Sequence, residues 1–409
     1  MTSAFRYGAW AGGPDPLEAP FDVAQAVDEL GDRVLDGSSV REALRDLLRR
    51  GTDGLRGLDE LRRSVARRQR DARRQGRLDG TLEAVKELLD QAVALERQTL
   101  FPDPSDDARL AELELDALPP DTARAVQALK DHQWRSPEAK AAYDQIGDLL
   151  RREVLDSQFR GMKQALESLG AGGSEQALQA IKDMLADLNA MLDADAKGQH
   201  TQEQFEAFMA RHGEHFPSQP ETLEELVDDL ARRAAAQQRL MDSLTRQQRQ
   251  ELGELMAGAM DVDLQSQLSQ LGDALRGARP DLPWGGPERM SGDEGLGMGD
   301  ATTALEELAD LDDLEAALGQ DYPGASLEDI DEAAVQRALG RAALDDVEAL
   351  KRIERELLAQ GYLVRDGRGR LELSPRAVRR LGATALRRVF RQLDAKGRGG
   401  HDVRDAGAA

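Results

Sequence analysis

Two histidines three residues apart come closest to a metal-binding motif in this sequence of 409 residues. His212 and His215 can each offer an imidazole nitrogen, but a zinc site in a protein needs three or four protein ligands. The chain contains five histidines and no cysteine, so it has no thiolate ligand, disulfide or cysteine nucleophile. Histidines at the end of a helix are ordinarily structural. We therefore predict no catalytic residues, no bound cofactor and no metal site, and a protein that is not an enzyme.

Three alternating glycines precede a predicted helix, at Gly295, Gly297 and Gly299. Turns that cradle phosphates have such glycines, and a lysine usually follows them. No lysine follows here, and the carboxylates of Asp293 and Glu294 would repel a phosphate. The pattern therefore predicts a flexible connector over residues 277–300 rather than a nucleotide site.

A strongly acidic segment runs through and beyond this connector. Fourteen acidic residues and no Lys or Arg lie between Met290 and Gln336. Asp310, Asp312 and Asp313 are close enough together to raise the question of a calcium loop. The glycine of such a loop is missing, however, and leucines occupy positions where ligands are required. The segment is therefore interpreted as an acidic helical face.

Eight arginines cluster in residues 58–77, with few acidic residues among them. They favour either a nucleic-acid-binding arm or a solvated helix in contact with acidic neighbours. No aromatic residue is interleaved that could stack on bases, which favours the second interpretation. The arginines are Arg62, Arg63, Arg67, Arg68, Arg70, Arg73, Arg74 and Arg77.

A second group of arginines lies in the unit that carries the clearest β signal. Residues 362–364 and 371–373 flank an Asp-Gly pair, which predicts a hairpin between a helix over 344–360 and a helix that begins after Ser374. On the predicted helix 375–393, spacings of four and seven residues return to nearly the same angle. One narrow stripe therefore contains Arg376, Arg380, Arg387 and Arg391. We expect it to dock an acidic protein surface, which is either the acidic segment 293–332 of this chain or a surface of a partner protein.

Helix, hairpin and helix in this order resemble a winged-helix unit, so a nucleic-acid-associated regulator is the alternative function. Two features oppose it. The helix before the hairpin mixes basic residues such as Lys351 and Arg355 with acidic ones such as Asp345 and Glu354. The formal net charge of the chain is −23, which disfavours binding to nucleic acid or to anionic membranes.

The longest predicted element is an amphipathic helix in the middle of the chain. Ser136 is a favourable N-cap and Pro137 suits the first helical position. Apolar residues then recur at spacings of three and four as far as Leu166, which predicts a helix of about thirty residues over 137–166. A helix of that length must be covered on one side by other helices.

Composition places the chain among helical proteins. Apolar residues make up 40% of it, aromatic residues 4% and charged residues 32%, with Leu, Ala, Arg and Glu all abundant. We expect a mainly α protein of several helical subdomains with one small winged-helix-like unit near the C-terminus. No signal peptide and no apolar run long enough to span a bilayer are recognisable, so the expected location is cytoplasmic, away from the membrane.

Five segments are predicted from the turns and shifts in composition. Residues 1–101 form an N-terminal helical subdomain that begins with an irregular arm, and residues 105–276 form a central helical subdomain. Residues 277–300 are the Gly/Pro-rich connector. Residues 301–395 combine acidic helices with the winged-helix-like unit, and residues 396–409 form a flexible tail.

Several stretches of sequence resemble one bacterial family. They are residues 7–17, 76–93, 110–119, 125–139, 154–166 and 362–382, for example AVQALKDHQWRSPEA at 125–139. They are similar to the N-terminal helical region of von Willebrand factor type A proteins that are associated with MoxR-type or magnesium-chelatase-like AAA+ ATPases. The Asp-x-Ser-x-Ser metal motif of the von Willebrand domain does not occur in this sequence, and Asp36-Gly-Ser-Ser lacks the spacing. The metal-binding function of that domain therefore does not transfer to this chain.

The resemblance implies a non-enzymatic helical interaction scaffold. In that role the chain is the helical arm of a von Willebrand-type cofactor, and its partners are an AAA+ ATPase and a client protein that the ATPase remodels or metallates. The sequence leaves open which ATPase and which client take part, and in which oligomeric state.

Overall fold

The structure, a computed structural model, describes residues 23–52, 54–159, 174–320, 326–365 and 371–379. Over these residues the protein is mainly helical, which confirms the predicted fold class. Contacts group the chain into two compact units, the first made of residues 1–68 and 312–409 and the second of residues 69–311. None of the described helices is long and apolar enough to cross a membrane.

The described part of the chain contains fifteen α-helices, four short strands and two short 3-10 turns. Short 3-10 turns cover Gly213–His215 and Leu327–Asp329. The four strands are β1 (Gly51–Thr52), β2 (Leu55–Arg56), β3 (Leu363–Arg365) and β4 (Leu371–Leu373). The helices are α1 (Val23–Leu35), α2 (Val40–Arg50), α3 (Leu58–Arg73), α4 (Gly80–Leu100), α5 (Asp106–Asp116), α6 (Thr122–Ala128), α7 (Pro137–Gln158), α8 (Ser174–Ala196), α9 (Gln202–His212), α10 (Leu223–Ser243), α11 (Arg246–Ala259), α12 (Val262–Ala278), α13 (Met298–Gly319), α14 (Glu332–Leu339) and α15 (Arg341–Ala359).

The second unit is built around α7. Helix α4 packs along α7, and α10 and α11 contact other parts of it. One apolar core joins α4, α5, α6 and α7 through residues that include Leu100, Leu115 and Ile146. A second core joins α8, α9, α10 and α12 around Phe159 and Phe205. The sequence therefore predicts correctly that other helices cover the apolar stripe of α7.

In the first unit, α15 contacts α1, α14 and the strands β2 and β3. Its buried face includes Val347 and Leu350. Lys351 is also buried, and its Nζ donates to the carbonyl oxygen of Ile330 at 3.1 Å and lies 2.8 Å from Glu332 Oε1. This lysine is therefore a structural ion-pair partner and does not contribute a surface charge.

Both hairpins are antiparallel. The predicted C-terminal hairpin is present, with Val364 opposite Glu372 in β3 and β4. Gly361 ends the preceding helical turn with φ +66°, and Ser374 Oγ accepts a hydrogen bond from the N–H of Ala377 at the start of the next helical residues, 375–379. The sequence did not predict β1 and β2, which are too short to leave a pattern of alternation.

The predicted helix over 137–166 ends earlier than expected. Helix α7 stops at Gln158, and Phe159 has extended backbone angles (φ −125°, ψ 111°). The Phe159 ring is buried and meets Phe216 edge-on at 6.2 Å between centroids, so tertiary packing ends the helix where its periodicity continues. Residues 160–166 lie outside the described part of the chain.

The segment predicted to be a flexible connector is held in place along its length. Ser291 N–H donates to the carbonyl oxygen of Arg73 at 2.8 Å, and Leu296 N–H donates to that of Arg77 at 2.8 Å. Glu288 forms an ion pair with Arg239 at 2.7 Å. Residues 279–297 of this segment form no helix or strand, yet they pack within the second unit.

The five segments predicted from the sequence do not coincide with the two units. Helix α4 lies in the predicted N-terminal subdomain, but its main packing partner is α7. Helices α1 and α2 instead share a unit with α15, which lies about three hundred residues further along the chain.

Candidate interaction surface

Helices α4 and α5 meet at a corner that presents apolar side chains to solvent. Helix α4 ends just before Phe101, in a stretch where Pro102 and Pro104 disfavour further helix. Ser105 Oγ then accepts a hydrogen bond from the N–H of Ala108 at 3.3 Å, which starts α5. The Phe101 side chain at this corner is 78% exposed.

Helix α5 is apolar on two opposite sides. Its inner side places Ala108, Ala111 and Leu115 against the core that α4 and α7 share. Its outer side places Leu110 and Leu113 in solvent, with 60% and 65% of their surface exposed. A surface helix of a globular protein ordinarily has one apolar stripe. Helix α5 has a second one, and its exposure shows that it lacks a partner within the described chain.

We call the exposed group the α4–α5 surface. Its outer stripe continues with the exposed Ala117. Asp106 precedes the stripe on the same face, and Asp107 and Glu114, seven residues apart, lie along one of its edges. The surface comprises Phe101, Leu110, Leu113 and Ala117, together with Asp106, Asp107 and Glu114.

The charge around this surface is strongly negative. Residues 101–118 contain six acidic residues and one basic residue. Three of the acids are held by arginines, since Asp116 lies 2.8 Å from Arg97, Asp103 lies 2.5 Å from Arg135, and Glu112 pairs with Arg109. Asp106 and Asp107 are exposed and make no ion pair among the described residues, so they leave uncompensated negative charge at the start of α5.

A buried carboxylate on α4 holds the loop that contacts the outer part of α5. Glu96 on α4 is fully buried and accepts hydrogen bonds from the backbone N–H groups of Arg135 at 2.8 Å and Ser136 at 2.9 Å. The same loop carries His132, whose Nδ1 lies 3.3 Å from Glu114 Oε2 on α5. Glu96 therefore fixes the loop before α7, and that loop in turn contacts the outer part of α5.

Sequence reasoning did not identify this surface. The sequence of α5 contains two sets of apolar residues, and the members of each set are three or four residues apart. In the structure one set packs inward and the other faces solvent. Either set alone would satisfy the pattern of an amphipathic helix. Only the packing against α4 and α7 decides which set remains exposed.

Of the four predicted arginines at the C-terminus, the structure describes Arg376. Its Nη1 donates to the carbonyl oxygen of Gln360 at 2.8 Å, and its guanidinium carbon lies 4.8 Å from the centroid of the Tyr362 ring. It therefore contacts its own hairpin. Arg380, Arg387 and Arg391 lie outside the described residues, so the stripe and its docking partner stay a prediction.

Part of the arginine-rich segment 58–77 is paired with acidic residues, as the second interpretation of that segment predicts. Arg62 lies 3.7 Å from Glu315, and Arg73 lies 3.5 Å from Glu288. Glu288 lies in the predicted connector, and Glu315 follows it. The pairs reduce the positive charge that these arginines offer to a nucleic acid.

The two histidines of the weak metal motif have protein partners. His212 Nε2 lies 2.9 Å from Asp187 Oδ2. His215 lines a cavity of about 250 Å³ together with Arg233 and Glu306, and burial lowers the pKa of His215 below its ordinary value. Across the described residues, no three His, Asp or Glu side chains are grouped so that they could hold a metal ion.

The glycine-rich turn before α13 is filled by carboxylates of the protein itself. Gly299 N–H donates to Glu153 Oε2 at 3.3 Å. A Cβ atom on Gly297 would lie 2.7 Å from the same oxygen, and one on Gly299 would overlap Asp156 Oδ2. A carboxylate near the N-terminus of a helix is stabilised by the helix dipole. The glycines therefore admit two side chains of α7.

The α4–α5 surface lies within a segment that is similar to a known protein family. Residues 79–149 match a family model described as the Mb0984 helical domain. The chain is 48% identical over 407 residues to uncharacterized protein Mb0984 of Mycobacterium bovis and to uncharacterized protein Rv0959 of Mycobacterium tuberculosis. These alignments cover 99% of this chain but 60% of each relative, so the chain spans about three fifths of their length. No solved structure matches the chain. The segment similar to the Mb0984 helical domain contains all of α4, α5 and α6 and the first part of α7.

Proposed function

We propose that this chain is a non-enzymatic helical interaction scaffold that binds a partner protein through the α4–α5 surface. The observation that carries the proposal is the second apolar stripe of α5, on which Leu110 and Leu113 are both more than half exposed. Leucines that line one exposed face of a helix form a candidate interaction site, because exposed apolar patches in soluble proteins often bind partners.

The exposed stripe is large enough to contribute measurable affinity. Full burial of a leucine side chain contributes about 1.5–3 kcal/mol. Since about three fifths of each leucine is exposed, covering both would contribute about 2–4 kcal/mol. That corresponds to a change of roughly 30-fold to 1,000-fold in a dissociation constant.

The partner we propose is a MoxR-type or magnesium-chelatase-like AAA+ ATPase in the cytoplasm. This finer proposal rests on the resemblance to the helical region of von Willebrand-type cofactors. Two of the stretches that carry the resemblance, 110–119 and 125–139, lie within residues 79–149. In this role the chain positions a client protein for the ATPase and performs no catalysis itself.

Nucleic-acid binding through the C-terminal unit is the second candidate function. It is favoured by the hairpin of β3 and β4 and by the exposed side chains of Arg376 and Arg379 directly after it. The acidic residues on α15 and the net charge of −23 weigh against it.

Co-purification tests the proposal. The chain and the MoxR-type ATPase of the same genome are mixed and passed through gel filtration, and the rate of ATP hydrolysis is measured with and without the chain. We expect a stable complex and an altered rate, while the chain alone hydrolyses no ATP. Absence of a complex at tens of micromolar would refute the assignment of the ATPase.

A duplex DNA probe tests the second candidate. We expect no binding near physiological salt. Binding below micromolar that falls steeply with salt, and that is abolished by Arg380→Glu together with Arg387→Glu, would establish phosphate contacts and replace the scaffold proposal.

A further inference from the structure

We infer that the α4–α5 surface accepts a basic amphipathic helix of the partner protein. This inference rests on the proposed function and names the chemistry of the segment that docks. Leu110, Leu113 and Ala117 follow the spacing i, i+3, i+7 along one face of α5. A ridge of that spacing fits the groove between side chains of another helix. No described strand adjoins α5, so addition of a β-strand has no edge to use there.

The charge of the surface determines the charge of its occupant. Asp106 and Asp107 precede the leucines, and Glu114 lies beside them with an exposed carboxylate. A docking helix that placed Lys or Arg beside its apolar stripe would pair with these groups at the rim of the contact. An acidic helix would place like charges together, which costs affinity and slows association.

The same charges disfavour a second copy of this chain as the occupant through its own α4–α5 surface. Two-fold symmetry would bring the same patch of both copies together. Residues 101–118 carry six acidic residues and one basic residue in each copy, so the contact would join two surfaces of the same net charge. A partner of opposite charge avoids that repulsion.

A fluorescent peptide tests the inference with the full chain. The probe is an 18-residue helix of leucine and lysine, acetylated and amidated, with its leucines in one stripe. Its binding is followed by fluorescence anisotropy near physiological salt. A second peptide has the same composition in scrambled order and lacks the stripe, and a third has glutamate in place of lysine.

We expect the striped basic peptide to bind at least tenfold more tightly than either of the other two. Leu110→Ala with Leu113→Ala should weaken its binding at least tenfold. The matched control is Val262→Ala, which removes a side chain that is 82% exposed on another helix and should change binding less than twofold. Because all three residues are exposed, circular dichroism and urea midpoints should match those of the unmodified protein.

Charge is tested separately. Asp106→Asn with Asp107→Asn should weaken binding several-fold and reduce its dependence on salt. Glu203→Gln with Glu206→Gln neutralises two exposed carboxylates on α9 and should leave binding within twofold.

Three results would overturn the inference. The first is equal binding of the striped and scrambled peptides. The second is an equal loss of peptide binding for Val262→Ala and for the double variant Leu110→Ala, Leu113→Ala. The third is self-association of the chain in sedimentation that this double variant abolishes. The last result would make a second copy the occupant. If the ATPase fails to associate but the peptide follows the expected order, the proposed partner is wrong and the surface chemistry stands. If the ATPase associates and Leu110→Ala with Leu113→Ala leaves that complex unchanged, the inference and the α4–α5 surface as the binding site both fall, and only the association with the ATPase stands.

Discussion

Replacing Glu96 with leucine tests whether this buried carboxylate holds the loop that supports the α4–α5 surface. Its two oxygens accept the backbone N–H groups of Arg135 and Ser136 at 2.8 and 2.9 Å. Leucine has a similar volume but accepts neither bond. Both backbone donors would then lose their acceptor, and the Ser136 N–H is buried.

The expected size of the effect follows from those two bonds. Each buried N–H that loses its acceptor costs about 1–3 kcal/mol, and relief from burying a carboxylate offsets part of the sum. We expect Glu96→Leu to lower the free energy of unfolding by about 1–4 kcal/mol. Glu96→Gln keeps one acceptor oxygen and should fall between the leucine variant and the unmodified protein.

Urea unfolding followed by tryptophan fluorescence measures this effect locally. Trp134 lies in the loop, 4.9 Å from the His132 ring and 5.3 Å from the Tyr143 ring, so its emission reports on this region. The other two tryptophans are replaced by phenylalanine in every variant. Glu203→Gln, at an exposed position, is the matched control and should change the midpoint little. An unchanged midpoint for Glu96→Leu, or an equal shift for the control, would refute the supporting role.

Two further predictions concern glycine packing and pH. Gly299→Ala places a Cβ atom onto Asp156 and should destabilise the protein by about 1–3 kcal/mol. Gly272 lies in the interior of α12, and a Cβ atom added there would have no neighbour within 4 Å. Gly272→Ala should therefore stabilise the protein by about 0.5–1 kcal/mol. If the urea midpoints of the two glycine variants moved in the same direction, the packing described for Gly299 would be contradicted. Burial lowers the pKa of His215, so the unfolded chain takes up this proton first, at about pH 6.5, and stability falls as the pH drops below that value. His215→Asn should lose less stability between pH 7.5 and pH 5, and identical pH profiles would show that His215 does not contribute.

The sequence predicts the mainly helical fold because the signals that start a helix are local. Ser39, Thr201 and Thr245 each cap a helix through a reciprocal pair of hydrogen bonds with the Glu or Gln three residues later. Thr222 caps α10 through Glu225 N–H, while the Glu225 side chain accepts instead from Glu221 N–H. The hairpin after Gly361 is predicted for the same reason, since its turn residues lie between two short apolar runs.

Features that depend on distant residues are missed. Gly295 and Gly297 are required because they meet Gly80 and Glu153, which lie more than one hundred and forty residues earlier in the chain. The end of α7 at Phe159 likewise depends on Phe216. The outer stripe of α5 becomes a candidate site only when the inner stripe is seen to pack on α4 and α7. In each case the local pattern allows two outcomes and tertiary packing selects one.

Hydrogen–deuterium exchange of the full chain, with and without the MoxR-type ATPase, tests the interaction scaffold most directly. We predict slower exchange in residues 101–117 when the ATPase is present, because a docked partner would stabilise α5 against local opening. The Leu110→Ala, Leu113→Ala variant should lose that protection, and Val262→Ala should keep it. Protection confined to residues 371–395, or no change anywhere at saturating ATPase, would contradict a docking role for the α4–α5 surface.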